Sequence, residues 1–190
     1  MLLVSTMSVG ASGQETAAEA TAGTADVASA AADLISDGVS AYALGDYETA
    51  LKLWTPLAEQ GYASAQANLG LMYFNGQGIP QDYAEAVKWF RLSADQGNAV
   101  AQSNLGVMYD SGEGVAQDDR DAVKWYRLAA DRGDAVAQYN LAVRYDNGQG
   151  VIQDACEAVK WYRLAADQGN ASGMKNLGRS EEHTSELQSQ

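Results

Sequence analysis

A period of 36 residues runs through most of this chain. Trp89, Trp125 and Trp161 fall one period apart, and so do Gly61, Gly97, Gly133 and Gly169. Asn68, Asn104, Asn140 and Asn176 obey the same step, as do Leu69, Leu105, Leu141 and Leu177, and Tyr73, Tyr109 and Tyr145. The loop glycines repeat as Gly76 and Gly78, Gly112 and Gly114, Gly148 and Gly150. A unit of this length is one supersecondary element whose apolar face cannot be buried alone. Consecutive copies must therefore stack into a linear array.

Within one copy the spacing predicts two helices. Leu69, Met72 and Tyr73 form an apolar stripe at helical spacing, which places a first helix over 63–75. Gly70 lies on that stripe, where glycine costs about 1 kcal/mol of helix propensity. Close approach of a second helix accounts for it, and Ala142 takes the same place in the third copy. Gly76 and Gly78 end the helix in a loop, and Ile79, Val115 and Val151 are expected to tuck back beneath the pair. Asp82, Asp118 and Asp154 read as N-caps. Each is followed three residues on by an acid (Glu85, Asp121, Glu157), the pattern of a capping box. The second helix covers 83–96, with Ala86, Trp89, Phe90 and Ala94 toward the core, and Gly97 ends it. Asn98, Asp134 and Asn170 stand where they can cap the following first helix. An earlier variant pair, Leu34 to Leu44 and Tyr47 to Gln60, is joined by a Gly45-Asp46 turn. In it Trp54 aligns with Phe90, Tyr126 and Tyr162, and Pro56 is expected to kink the second helix.

Composition agrees with helix: hydrophobic residues make up 46% of the chain and there are two prolines. The net charge is −13 and no stretch is basic, which argues against nucleic acid or an anionic membrane surface as partner. A single cysteine, Cys156, excludes an intrachain disulfide and a cysteine-based zinc site. No run of 18 apolar residues occurs, so no segment reads as a membrane-spanning helix.

The two ends leave the pattern. Residues 1–13 carry a short apolar run and a small-x-small site, Ala11-Ser12-Gly13, without a positively charged start. They read as a truncated secretion signal, from which a periplasmic or secreted location is expected. Residues 14–32 read as a flexible Ala-rich leader. Arg179 to Ser189 abandon the repeat and resemble a translated sequencing adapter, so 179–190 read as an artefactual tail. That implies a natural chain continuing differently after Gly178, and it removes His183 from the candidate residues.

Three blocks carry a family resemblance: Ala-x-Ala-Gln-x-Asn-Leu-Gly-x-Met-Tyr, Gly-x-Gly-Val/Ile-x-Gln-Asp, and Ala-Val-Lys-Trp-Tyr/Phe-Arg-Leu-Ala-Ala-Asp-x-Gly. Together they closely resemble the Sel1-like repeat family. Full copies cover 62–97, 98–133 and 134–169, and a truncated fourth begins at 170–178. The pair at 33–61 is more similar to a tetratricopeptide repeat. The resemblance implies an all-α fold, a right-handed α/α superhelical solenoid. It further implies a non-enzymatic scaffold or adaptor for assembling protein complexes, in bacteria often exported. A repeat of this kind identifies the fold and leaves the partner open.

Motifs with possible chemistry each have a plainer reading. Gly76-x-Gly78 follows a helix and lacks a third glycine, unlike a dinucleotide loop. Asp110-Ser111-Gly112-Glu113-Gly114 and Asp146-Asn147-Gly148-Gln149-Gly150 lack the alternating carboxylates of a calcium loop. Ser172-Gly173-Met174-Lys175 matches the Ser-x-x-Lys of penicillin-binding enzymes, whose Ser-Asp-Asn and Lys-Thr-Gly partners do not occur. Cys156 has no histidine at a catalytic spacing. Lys88/Arg91, Lys124/Arg127 and Lys160/Arg163 form a basic row whose local acids predict intrahelical pairing. No catalytic residue, cofactor or metal ligand is therefore assigned.

The candidate binding residues lie on the first helices. By resemblance to tetratricopeptide repeats, Asn68, Asn104, Asn140 and Asn176 face a concave groove. There a row of amides can hold a protein or peptide ligand, or can brace the neighbouring copy. The residue before each asparagine varies as Ala67, Ser103, Tyr139 and Lys175, and variation on a fixed frame is where specificity lies. Asn68, Phe74, Ser103, Asn104, Tyr139 and Asn140 form the proposed partner-binding set, with Tyr139 as best anchor. Two rivals stay open: a fragment of a larger protein whose activity lies elsewhere, and a β-lactam or peptidoglycan enzyme.

Overall fold

The computed structural model describes residues 22–188, with side chains from Val27 to Ser180. The signal-like segment 1–13, most of the leader and the His183 side chain fall outside these residues. Among the described residues there are nine α-helices and no strand. They fall into two compact units, one ending at Asn98 and one starting at Ala99.

The first unit holds α1 (Ala22–Ala43), α2 (Tyr47–Glu59), α3 (Ala63–Asn75) and α4 (Tyr83–Asp95). The second holds α5 (Ala99–Ser111), α6 (Asp119–Asp131), α7 (Ala135–Asn147), α8 (Ala155–Asp167) and α9 (Ala171–Gln188). Within each unit, helices adjacent in sequence pack on one another, the connectivity of a solenoid. One expectation changes. Residues 22–32, read as leader, are helical, and Ala31 is buried against the α2 core. At the other end α9 continues through the adapter-like stretch to Gln188. The composition of residues 22–32 hid a helix because its small residues supply no apolar stripe until Ala31 and Ile35 meet Trp54. Pro56 lies inside α2, which still runs unbroken from Tyr47 to Glu59.

The core of each pair is an aromatic ring against a small residue. Trp54, Phe90, Tyr126 and Tyr162 are all fully buried. A Cβ on Gly70 would come within 2.8 Å of the Phe90 ring, and one on Gly106 within 2.5 Å of the Tyr126 ring. The glycines on the apolar stripe are there for close approach, as the sequence implies. Ala142, in the same place, is itself fully buried.

The asparagine and aspartate caps form only in part as a box. Asp82 accepts from Glu85 N at 3.0 Å, Asp118 from Asp121 N at 3.0 Å and Asp154 from Glu157 N at 3.0 Å. The reciprocal half is absent because each cap's own N–H already has an acceptor. Asp82 N donates to Tyr73 O, Asp118 N to Tyr109 O and Asp154 N to Tyr145 O, at 2.9–3.0 Å. Two of these acids, Glu85 and Glu157, pair instead with Lys88 and Lys160. Asp134 caps α7 through Ala137 N, and Asn170 caps α9 through Gly173 N.

A buried glutamine stitches consecutive pairs. Gln66 donates to Ala58 O of the preceding pair at 3.1 Å and accepts from Gln96 at 2.8 Å. Gln138 repeats this with Ala130 O at 3.2 Å and Gln168 at 2.8 Å. The second loop glycine seats one copy on the last: a Cβ on Gly150 would strike the Asp119 carbonyl. A Gly106→Ala chain is expected to unfold about 1–3 kcal/mol more easily, the cost of overpacking, in urea melts followed by circular dichroism. Gln138→Leu removes both bonds of that bridge while Ala130 O keeps the Gly133 N–H, and a loss of about 1 kcal/mol is expected.

Candidate functional site

The proposed partner-binding residues divide by burial. Asn68 is 1% exposed, Phe74 4%, Ser103 5% and Asn104 5%. Phe74 packs its ring 5.2 Å from Tyr83. Asn104 donates to Val100 O of its own helix at 2.9 Å, and Ser103 hydrogen-bonds the Asp134 cap. These four are buried, and Ser103 is held by the cap of the following copy. Tyr139 and Asn140, on α7, are only half buried.

Tyr139 belongs to a polar-aromatic cluster in the second unit. Its ring lies 5.9 Å from that of Tyr162 on α8. Asn176 on α9 donates to the Tyr139 hydroxyl at 3.5 Å and the Tyr162 hydroxyl at 3.4 Å. The Tyr162 hydroxyl donates to Asp146 Oδ2 at 3.5 Å, and Arg179 Nη2 reaches the same oxygen at 3.5 Å. Asn176 thus braces its neighbours, while the varying residue before the asparagine, Tyr139, presents a half-open ring. Burial pushes the Tyr162 phenol up to about 12, with the Asp146 carboxylate adding to the effect.

Sequence reasoning passed over a buried ionic group. Arg144 takes the place that Met72 and Met108 hold in earlier copies. It is buried in α7, paired with Asp110 on α5, and lies 3.5 Å from Asp119 on α6. Burial raises the Asp110 carboxyl although Arg144 opposes that shift. The signal available in the sequence was the break in the methionine step. The basic row also departs from its expected pairing at Arg127. Its guanidinium bonds the Tyr145 hydroxyl and sits 5.4 Å and 5.6 Å from the ring centres of Tyr145 and Trp161. It ties α6 to α7 and α8 by cation–π contact.

Among the described residues no group of histidine, cysteine, aspartate and glutamate has the arrangement of a metal site. Cys156 is exposed at the start of α8. No described helix is long and apolar enough to cross a membrane.

The model of the Sel1 repeat family matches at residues 30–62, 63–98, 99–134 and 135–170. Similar solved structures include a protective antigen of uropathogenic Escherichia coli with an SLR fold. It is 46% identical with a TM-score of 0.67, over 69% of this chain and 28% of that one. A Sel1 repeat protein from Oxalobacter formigenes is 33% identical with a TM-score of 0.70, over 75% of this chain and 58% of that one. The cysteine rich protein B of Helicobacter pylori shares the fold at 22% identity and a TM-score of 0.53, over 64% and 93% of the two chains. The chain therefore spans less than two thirds of the length of the first two relatives. No curated protein matches it.

Two predictions follow from the electrostatics. Tyr162 keeps its proton in the folded state to about pH 12, against 10.0 for the free side chain. The stability it contributes is complete below pH 10 and is lost as pH rises from 10 toward 12. Thermal melts across that window should show a fall that is smaller in Tyr162→Phe. Asp110→Ala leaves Arg144 buried without its main countercharge, and a loss of about 3 kcal/mol is expected. Asp110→Leu with Arg144→Met should recover most of it in the same urea melts.

Proposed function

Because the chain belongs to the Sel1 repeat family, whose members are generally protein-interaction scaffolds, we propose that it holds a protein or peptide partner against the first-helix face of its repeats. Tyr139 and Asn140 are the anchors. The observation that supports this most is their half-exposure on a frame whose equivalent positions, Ser103, Asn104 and Asn68, are closed. A rigid aromatic on a fixed scaffold supplies contact area at small entropic cost. The role is that of an adaptor without catalysis of its own: the Ser172-Gly173-Met174-Lys175 match lies on α9 with no partner motif. An exported location is supported by the signal-like start and by likeness to a protein that acts as a protective antigen.

Selection of a displayed random peptide library against the chain tests this reading. Selected peptides should lose about tenfold in affinity, about 1.4 kcal/mol, on both Tyr139→Ala and Asn140→Ala, while thermal melts confirm that both variants stay folded. Equal affinity for wild type and both variants would sink the assignment.

A further inference from the structure

One capping position recurs at the start of successive first helices. It holds Asn98, Asp134 and Asn170. Within the second unit, Asp134 and Asn170 do the same backbone work. Asp134 accepts from Ala137 N at 2.7 Å, and its own N–H donates to Ala129 O at 3.1 Å. Asn170 accepts from Gly173 N at 2.8 Å, and its N–H donates to Ala165 O at 3.0 Å.

The two side chains differ in what they can give. Asn170 Nδ2 also donates, at 3.5 Å, to Ala135 O, the first carbonyl of the preceding first helix. One period earlier that carbonyl belongs to Ala99, at the head of α5. An ionised carboxylate has no hydrogen to offer it. Asp134 receives a donor instead, because the Ser103 hydroxyl on α5 bonds its carboxylate. At the Asn170 joint the place of Ser103 is held by Tyr139. Acid and hydroxyl thus occur together at one joint, amide and tyrosine at the next.

Desolvation raises the Asp134 carboxyl above its ordinary 3.8, although bonds from Ala137 N, Ser103 and Val136 N oppose the shift. Burial causes this shift, not a neighbouring charge. On α5 the charged residue is Asp110, at the far end and held by Arg144. Asp131 and Arg132, at the end of α6, are exposed, and Arg132 Nη1 donates to Leu128 O. α7 has no charged residue before Arg144. Arg163 and Asp167 on α8 are exposed, as is Lys175 on α9.

We propose that Asp134 makes the joint between α5 and α7 proton-operated. A proton from solvent turns the carboxylate into a group with one donor and retained acceptors, the hydrogen-bonding counterpart of the amide at Asn170. The acceptor keeps the α7 cap, and the new O–H takes up a carbonyl of α5. The added stability is complete below pH 3.8 and is lost as pH rises through the raised carboxyl value. The helix that carries Tyr139 and Asn140 is therefore held most firmly in acid. The joint works whether or not those two residues meet a partner.

The test compares the full chain with its Asp134→Asn variant. The ratio of wild-type to variant unfolding constants in urea melts should fall at least about threefold from about pH 7 to about pH 4. Amide hydrogen exchange, corrected for its intrinsic rate at each pH, should show where the gain lies. Relative to the variant, protection should rise in α5 and the first turn of α7 and not in α1–α3. Carbon-13 NMR of the Asp134 carboxyl should give a midpoint above 3.8, and Ser103→Ala, which removes a donor to the carboxylate, should move it higher. An unchanged ratio, a gain spread evenly over the chain, or a midpoint at or below the ordinary value overturns the proposal. If Asp134→Asn fails to fold, the wild-type midpoint and its rise in Ser103→Ala decide, and no rise overturns it.

Discussion

The separation between the two helices of each pair rests on a small residue facing a large ring. Gly70 against Phe90 and Gly106 against Tyr126 leave no space for a methyl group, and Ala142 in the third copy is fully buried. That contact places the first helix close enough for the loop to return under it and for the next N-cap to find a tyrosine carbonyl. A wider pair would break the backbone bonds from Asp82, Asp118 and Asp154 together. The cost of glycine in a helix, about 1 kcal/mol, is small beside the packing it permits.

Stacking of one pair on the next uses polar rather than apolar chemistry at its tightest points. Gln66 and Gln138 each bridge the C-terminal carbonyl of one second helix to the cap residue of the following one. The bonds to Ala58 O and Ala130 O are buried and those between the glutamines partly so, and each contributes about 1 kcal/mol. They hold neighbouring copies in one register, as a purely apolar seam would not. Arg144 extends the same logic by placing a charge where two earlier copies have methionine. Its guanidinium pairs with Asp110, lies 3.5 Å from Asp119 and donates to Gln149 Oε1 at 3.2 Å.

The proposed partner site lies where the frame leaves first-helix positions half open. Asn68, Ser103 and Asn104 are buried. Around Tyr139 the cluster is looser, its distances longer and its ring half open.

The repeat, the two helices per copy, the caps, the close-packed glycines and the family were legible in the sequence, since each follows from spacing along one chain and from local backbone chemistry. The helical state of residues 22–32 was not, because these small residues carry no apolar stripe and Ala31 is buried only by packing against the α2 core. Nor was the division of the asparagine row into covered and half-open members, for side chains at one repeat position share a face but not the same neighbours. The single-sided capping, the glutamine stitches, the Arg127 stack and the Asp110–Arg144 pair belong to tertiary structure alone. Each joins groups brought together only when successive helices pack, and their distances along the chain carry no mark of that meeting.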